Sequence, residues 1–323
     1  MKVGIIGAGG VGSATLLSLV MRGTTACRVI VLDKNHARAK GVVADLQYGA
    51  TLSPSVELSA GDYPDLADAA LVILTAGINE KAGGATDRGD PAGRLRLLET
   101  NAGVYRDIVP QVVRFAPEAL LLVVTDPPDP LADLTREIAG HDHVLSTGTF
   151  LDSLRFRLHL ARRLNVNPKD VEAQVIGEHG TSQVFLWSSA RVAGTQVAKL
   201  LEESHQAPGA FRREVEQDVR FANITIIEGT GASQLGIGMV TARIAEAILR
   251  DERAVIPIGS FNSNYGVTLS LPSVLGRQGV SRIFEPEMTA DERQALQQSA
   301  VVLRSAVDRM NQTAWKRRAT HAG

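Results

Sequence analysis

The segments Leu151-Asp152-Ser153-Leu154-Arg155 and Ile176-Gly177-Glu178-His179-Gly180 supply an acid, a cation and an imidazole. An imidazole can move a proton near neutral pH, and a carboxylate on its second ring nitrogen would favour the proton-accepting tautomer. Asp152 is the candidate for that carboxylate and His179 for the imidazole. Arg155 lies one helical turn beyond Asp152, on the same face. Its planar guanidinium could take a carboxylate through two parallel bonds. The plainer alternatives are a structural histidine and a helical Asp152–Arg155 salt bridge. At the start of the chain, Gly7-Ala8-Gly9-Gly10-Val11-Gly12 carries a second chemistry. Gly7, Gly9 and Gly12 fit a G-x-G-x-x-G turn that lets backbone approach a pyrophosphate at a helix N-terminus. Asp33 follows at the end of the next apolar run, about twenty residues on, where it could bind the adenosine ribose and repel a 2′-phosphate. NAD is therefore expected over NADP. Lys34 and Arg38 count against that preference, and Asp33 has a helix-capping alternative. A dinucleotide site with an acid, a cation and an imidazole is what hydride exchange on a small hydroxy or keto acid needs.

These groups need elements to position them. Residues 2–6, 28–32, 71–75, 120–124 and 143–146 read as strands, and residues 11–21, 36–48, 97–115 and 131–139 as helices. Alternation of this kind implies right-handed crossovers and a parallel sheet. Beyond about residue 150 the pattern changes. Residues 152–164, 211–228 and 233–250 read as helices, and 255–260 and 267–274 as strands of a mixed or antiparallel sheet. Thr289 with Glu292 forms a capping box for a last helix to about residue 311. The expected fold is α/β: a Rossmann-type doubly wound parallel sheet in a dinucleotide-binding domain (1–148), followed by an α+β substrate domain (149–323).

Composition narrows the function classes. The 323 residues are 44% hydrophobic and 21% charged, with a formal net charge of −1. No strong field or aromatic platform argues for nucleic acid, and no apolar stretch is long enough to span a bilayer. The single Cys27 rules out an internal disulfide framework and fits a reducing compartment. No cysteine–histidine cluster suggests a metal. The chain enters its first strand at once, without a signal peptide ahead of it. A cytoplasmic enzyme is the expectation.

The ordered motifs resemble the lactate/malate dehydrogenase family across essentially the whole chain. They are Gly7 to Gly12, Asp33, Ala44-Asp45-Leu46-Gln47, Thr75-Ala76-Gly77, Arg94-Leu95 to Asn101, Ser146-Thr147-Gly148-Thr149, and the Asp152 and His179 segments. The resemblance implies that His179 donates and accepts the proton, that Asp152 is its partner, and that Arg155 clamps the substrate carboxylate. It implies that Arg94 is the mobile-loop arginine that polarises the substrate carbonyl. Gly7, Gly9, Gly10, Val11, Gly12, Asp33, Thr75, Ala76, Gly77, Asn101 and Thr125 would face the cofactor, NAD. No metal is implied. The partner would be a small carboxylate substrate, and the assembly a homodimer or homotetramer.

Three departures from the family pattern bear on the substrate. Asp126, in Val124-Thr125-Asp126-Pro127-Pro128, stands where the family carries asparagine. An amide can donate to a substrate oxygen, whereas an ionised aspartate only accepts. Asp126 could be protonated, could bind a substrate donor, or could mark lost activity. The loop between Gly77 and Arg94 is longer than usual. Its glycines suit a closing lid, against a passive surface insertion. Arg88 in that loop is a rival to Arg94, which keeps its spacing to Asn101. Glu80 takes the discriminating position that carries glutamine for lactate-type and arginine for malate-type substrates. Small residues at Gly231 to Ser233 leave extra room in the pocket. The resulting expectation is a 2-hydroxy or 2-keto acid that is neither simple lactate nor malate, larger, and bearing hydroxyl or amino groups. Arg88 folding inward would keep a malate-like substrate open. The alternatives are an ordinary malate or lactate dehydrogenase with an unusual loop, a non-catalytic NAD-binding regulator, and an NAD-using glycosidase, which would need a metal site.

Overall fold

The computed structural model describes residues 1–23, 28–54, 56–90, 92–203 and 207–321, the side chains of residues 203 and 313–321 excepted. Cys27 lies outside the described residues, as does Pro91 of the long loop. The chain begins with β1 (Lys2–Ile6), α1 (Gly10–Arg22), β2 (Arg28–Leu32), α2 (His36–Ala50), β3 (Glu57–Ala60) and β4 (Ala69–Leu74). It continues with α3 (Leu98–Phe115), β5 (Leu120–Val123), α4 (Pro128–Ala139) and β6 (Val144–Ser146). The six strands run parallel in the order β3-β2-β1-β4-β5-β6. Such strands are covered on both faces, which is why β2, β4 and β5 read as unbroken aliphatic runs. The strand order reverses beside β1, and the crevice between β1 and β4 is where this topology places ligands.

β3 was not expected. Its sequence, Glu57-Leu58-Ser59-Ala60, has one buried residue and pairs only with β2 at the sheet edge. An edge strand needs little apolar character, so periodicity does not betray it.

The second half comprises α5 (Phe150–Leu164), β7 (Val171–Glu172), β8 (Val175–Ile176), β9 (Val184–Phe185), β10 (Arg191–Val192), β11 (Thr195–Gln196) and α6 (Val197–Glu203). Then come α7 (Pro208–Arg220), α8 (Ala222–Thr230), α9 (Leu235–Leu249), β12 (Ala254–Asn262), β13 (Val267–Gly276), β14 (Gly279–Ile283) and α10 (Ala290–His321). One expectation changes here and one is made specific. The single helix over 211–228 is two helices, joined at Phe221, where φ −105° and ψ 11° leave the helical basin. Buried residues continue on both sides of the joint (Val215, Val219, Ile224, Ile227), so their spacing conceals the change of direction. The later strands lie in a mixed sheet, one of the two arrangements expected for them. β12 pairs with β6, and β14-β13-β12 extends the parallel sheet to nine strands among the described residues. The capping box is present: the Thr289 N–H donates to Glu292 Oε2 at 2.9 Å, and the Glu292 N–H to Thr289 Oγ1 at 3.2 Å. The helix it opens continues past residue 311.

Helices α1 and α9 contribute to the core on one side of the sheet, and α3, α4 and α10 to that on the other. A separate aromatic cluster anchors α5. Phe156, fully buried, meets Trp187 and Phe185 edge-on at 4.8 and 5.2 Å between ring centroids. Because α5 also carries Asp152 and Arg155, this cluster fixes the helix that presents them. Phe156→Ala is expected to cost about 3–5 kcal/mol, measured by urea denaturation. A loss below about 1 kcal/mol would mean that the cluster collapses around the gap.

Candidate active site

The crevice at the ends of β1 and β4 opens into a cleft of about 320 Å³. Gly9, Gly10, Val11, Thr75, Gly77 and Thr125 line it, together with Glu80, Arg94, Asp126, Arg155, His179 and Ser233.

At the glycine end, Gly7 has φ +108°, a conformation that suits glycine. A Cβ on Gly12 would run into the Gly7 carbonyl oxygen. The turn is thus a cradle that a side chain would fill, and the first amides of α1 point out of the helix as donors for an anion. Thr75 Oγ1 lies 2.9 Å from the Gly7 oxygen and ties β4 to this turn. Asp33 Oδ2 accepts from the Ala8 N–H at 2.7 Å, and Oδ1 from the Asn35 N–H at 2.8 Å. The cap of α2 is Asn35, whose side chain accepts from the Arg38 N–H. Asp33 therefore braces the glycine turn instead of capping the helix. The site fits a dinucleotide bound through its pyrophosphate.

Two of the residues expected at the cofactor stand behind the cleft wall. Asn101 is fully buried; its Oδ1 accepts from the Ile78 N–H at 2.8 Å and its Nδ2 donates to the Asp126 carbonyl at 2.6 Å. It joins the base of the long loop to the turn that carries Asp126. Ala76 contributes its carbonyl to the Thr125 hydroxyl at 2.9 Å.

At the other end, α5 points Asp152 at His179, whose Nδ1 is hydrogen-bonded to Asp152 Oδ2. The opposite carboxylate oxygen accepts from Arg155 Nη1 at 3.1 Å, so the helical salt bridge and the imidazole contact coexist. A second carboxylate holds the histidine by its backbone. Asp129 Oδ2 accepts from the His179 N–H at 2.8 Å, and its Oδ1 from the Ser146 hydroxyl at 2.5 Å. His179 Nε2 is left facing the cleft, 3.7 Å from Asp126 Oδ1. Arg94 Nε lies 3.2 Å from Asp126 Oδ2, close enough for an ion pair but without the alignment of a hydrogen bond. The buried Arg94 Nε–H has no hydrogen-bond acceptor.

Burial works against the charged form of each of these groups. For Asp152 it is outweighed by the attraction and hydrogen bond of His179 and by the charges of Arg155 and Arg94, which hold the carboxyl well below its usual range. Burial likewise opposes the His179 imidazolium, but Asp152 more than compensates and the ring's pKa is raised. Asp129, buried without a cation of its own, is pushed up to about 7. Glu80 is raised by burial and then by the neighbouring charge of Asp126.

Glu80 reaches the cleft at the base of the long loop, with Asn223 Nδ2 3.5 Å from its Oε1. Arg88 does not reach it. Its guanidinium grips Glu228 at 2.5 and 2.9 Å and Thr225 at 3.2 Å on the exposed side of α8. The folded loop thus spends this cation on a surface clasp, and the inward-folding alternative is not what the structure contains. Two cleft residues escaped the sequence reading. Asn223 is a buried polar residue inside the apolar run Ala222 to Ile227, which was its available signal. Gln234 caps the start of α9 and lies over Gly10, a juxtaposition with no local signature.

A cofactor cradle joined to a carboxylate–imidazole pair and two buried arginines can carry out dehydrogenation of a 2-hydroxy acid. Two family models match the chain: the lactate/malate dehydrogenase NAD binding domain over residues 1–145, and the lactate/malate dehydrogenase alpha/beta C-terminal domain over residues 149–314. The chain belongs to the lactate/malate dehydrogenase family. It is 43% identical over 305 residues to an L-lactate dehydrogenase of Deinococcus radiodurans, spanning 94% of this chain and 97% of that one. It is 39% identical to an L-lactate dehydrogenase of Thermus aquaticus, over 95% and 98% of the two chains. The fold superposes on the ligand-bound crystal structure of a minor L-lactate dehydrogenase from Enterococcus mundtii with a TM-score of 0.87. That structure is 33% identical, with 95% of this chain and 97% of that one covered. The protein is accordingly an NAD-dependent 2-hydroxy acid dehydrogenase.

Two outcomes follow from the charges around His179. Asp152→Asn removes the main influence that raises the imidazole pKa. The acid-side or base-side limb of kcat/KM that reports His179 should move to lower pH, and turnover should fall by about a hundredfold or more. An unmoved limb would detach His179 from the pH profile. For Asp129 the sign runs the other way. Between about pH 4 and pH 7 the folded chain retains a proton on this carboxyl that the unfolded chain releases. Its ionisation therefore lowers stability as pH rises through that window. Asp129→Asn should flatten that part of the stability–pH curve, read by urea unfolding at a series of pH values. A slope equal to the parent's would contradict it.

Proposed function

We propose that the physiological substrate is a 2-hydroxy acid with a single carboxylate, and that Arg155, His179, Asp152 and Arg94 act on it in the roles that the family pattern implies. Bound NAD supplies the hydride acceptor. Arg155 holds the substrate carboxylate. His179 takes the hydroxyl proton at Nε2, with Asp152 keeping the ring oriented and stabilising the imidazolium. Arg94 offers its Nε–H, which has no hydrogen-bond acceptor, to the oxygen on which charge develops. The observation that carries the single-carboxylate reading is the charge balance. Arg94 and Arg155 already face Asp126 and Asp152. With His179 neutral, as its role as base requires, those two pairs offset each other, and beyond Arg155's hold on one substrate carboxylate the site has no cation to spare. A second carboxylate would lie beside Glu80 and Asp126 with no cation to pair with, which is costly in a buried site.

The substrate's far end would meet Glu80 and Asn223, which suits an uncharged tail with a hydrogen to donate. The relatives, named L-lactate dehydrogenases, give no support to the expectation of a substrate other than lactate. The reading therefore includes lactate itself along with longer uncharged homologues. The His179–Asp152 contact and the buried arginines speak against a regulator that binds NAD without turnover. Division into domains at residues 148/149 and a homodimer or homotetramer belong to the same reading. Exposed Met21, Leu52, Leu235 and Met239 favour the oligomer, and sedimentation equilibrium tests it. No described helix is long and apolar enough to cross a membrane.

Steady-state reduction of pyruvate, oxaloacetate and hydroxylated 2-keto acids tests the substrate. The expected result is a kcat/KM at least about tenfold higher for the best monocarboxylate than for oxaloacetate, the equivalent of about 1.4 kcal/mol of transition-state discrimination. Efficient oxaloacetate reduction would overturn it. In the same assays NAD should be preferred to NADP, and Asp33→Ala should erode that preference.

A further inference from the structure

Resting on the reading above, we infer that Asp126 makes the site selective for the hydroxy acid over its keto acid. The carboxylate sits beside the atoms between which the reacting oxygen must lie: Oδ1 is 3.7 Å from His179 Nε2 and Oδ2 is 3.2 Å from Arg94 Nε. Whatever oxygen reaches both His179 and Arg94 is therefore a neighbour of Asp126. A hydroxyl carries one hydrogen, which it can share between the acceptor-only Asp126 and His179 Nε2, the base that takes it in the reaction. A ketone oxygen has lone pairs alone, and an ionised carboxylate can offer it nothing but repulsion.

Two charged or acidic neighbours flank Asp126. Arg94 pairs with it directly. Glu80, the more deeply buried of the two acids, lies against it and accepts from Asn223 on its other side. Burial and the Asp126 charge raise the Glu80 pKa, toward its neutral form. The remaining charged groups near Asp126 are His179 and, through space, Arg155. Pairing also has an effect on Arg94. A guanidinium already facing a carboxylate polarises a ketone less than an unshared one. Both effects disfavour the bound keto acid and leave the bound hydroxy acid intact. The overall equilibrium of the reaction is unchanged. What changes is occupancy: the enzyme fills with hydroxy acid and is weakly inhibited by its keto product, an arrangement suited to oxidation.

The experiment compares binding in the presence of NADH, where neither ligand can react. L-lactate represents the hydroxy acid, and oxamate, which presents a carbonyl in the same position, represents the keto acid. Dissociation constants are measured by calorimetry for the parent, Asp126→Asn and Asp126→Ala. The parent should bind L-lactate more tightly than oxamate. Asp126→Asn restores a donor, and the ratio of the two constants should shift toward oxamate by about tenfold to a hundredfold. Asp126→Ala removes the repulsion without adding a donor and should shift the ratio by less. NADH affinity measured on each protein verifies that the cofactor site is intact. Equal ratios in all three proteins would overturn the inference and leave the dehydrogenase reading standing. A parent that binds NADH but neither acid, and reduces no keto acid, would overturn both.

Discussion

The site depends on burying His179 against two carboxylates with different duties. Asp152 holds the ring and is itself held ionised by the imidazole and two arginines. Asp129 holds the backbone of the same residue and, with no cation of its own, sits near its neutralisation point. A histidine fixed at both ring and backbone has little freedom left, so Nε2 points into the cleft. That preorganisation is tolerable in a buried site because Asp152 meets cationic counterparts and Asp129 is held toward its neutral form. The parallel strands, α4 and α5 must all arrive in register for those counterparts to meet.

The cofactor end obeys a steric constraint instead of an electrostatic one. The Gly12 backbone lies against the Gly7 carbonyl, and Asp33 and Thr75 stitch the turn to β2 and β4. The topological reversal of the sheet leaves the crevice open above this point. The two ends are joined by Asn101, which ties the long loop to the Asp126 turn through backbone contacts. A shift of that loop would therefore move Glu80, Arg94 and Asp126 together, so the side of the pocket that meets the substrate oxygen behaves as one unit.

That unit is also where the chain leaves its family's habits. Against the family pattern that the sequence resembles, Asp126 would stand in place of an amide and Glu80 in place of a neutral or cationic discriminating residue. Two adjacent acids in a buried pocket are unfavourable unless one is neutral or both are paired. The structure uses both remedies, with Arg94 against Asp126 and burial keeping Glu80 toward its neutral form. The relatives keep the general chemistry secure, and this acid pair is what distinguishes the pocket built for it.

The sequence by itself determined the parallel half of the fold, because strands covered on both faces must be apolar throughout and the helices between them must alternate with them. It determined the glycine turn, because residue types at fixed spacing carry that geometry locally, and it marked Asp33, Asp152 and His179 as candidates, although the Asp152–His179 contact spans 27 residues. Tertiary structure decided the rest. β12 joins β6 across more than a hundred residues, a pairing that no local period encodes. Phe221 turns the helix axis while the buried spacing runs on. Asn223 and Gln234 enter the cleft from α8 and α9 only once those helices dock. Arg88, the rival that the sequence offered to Arg94 as a pocket cation, is taken up by Glu228 on the surface. Charge type is visible in a sequence, but which opposite charge lies within a few ångströms is fixed only when distant segments pack.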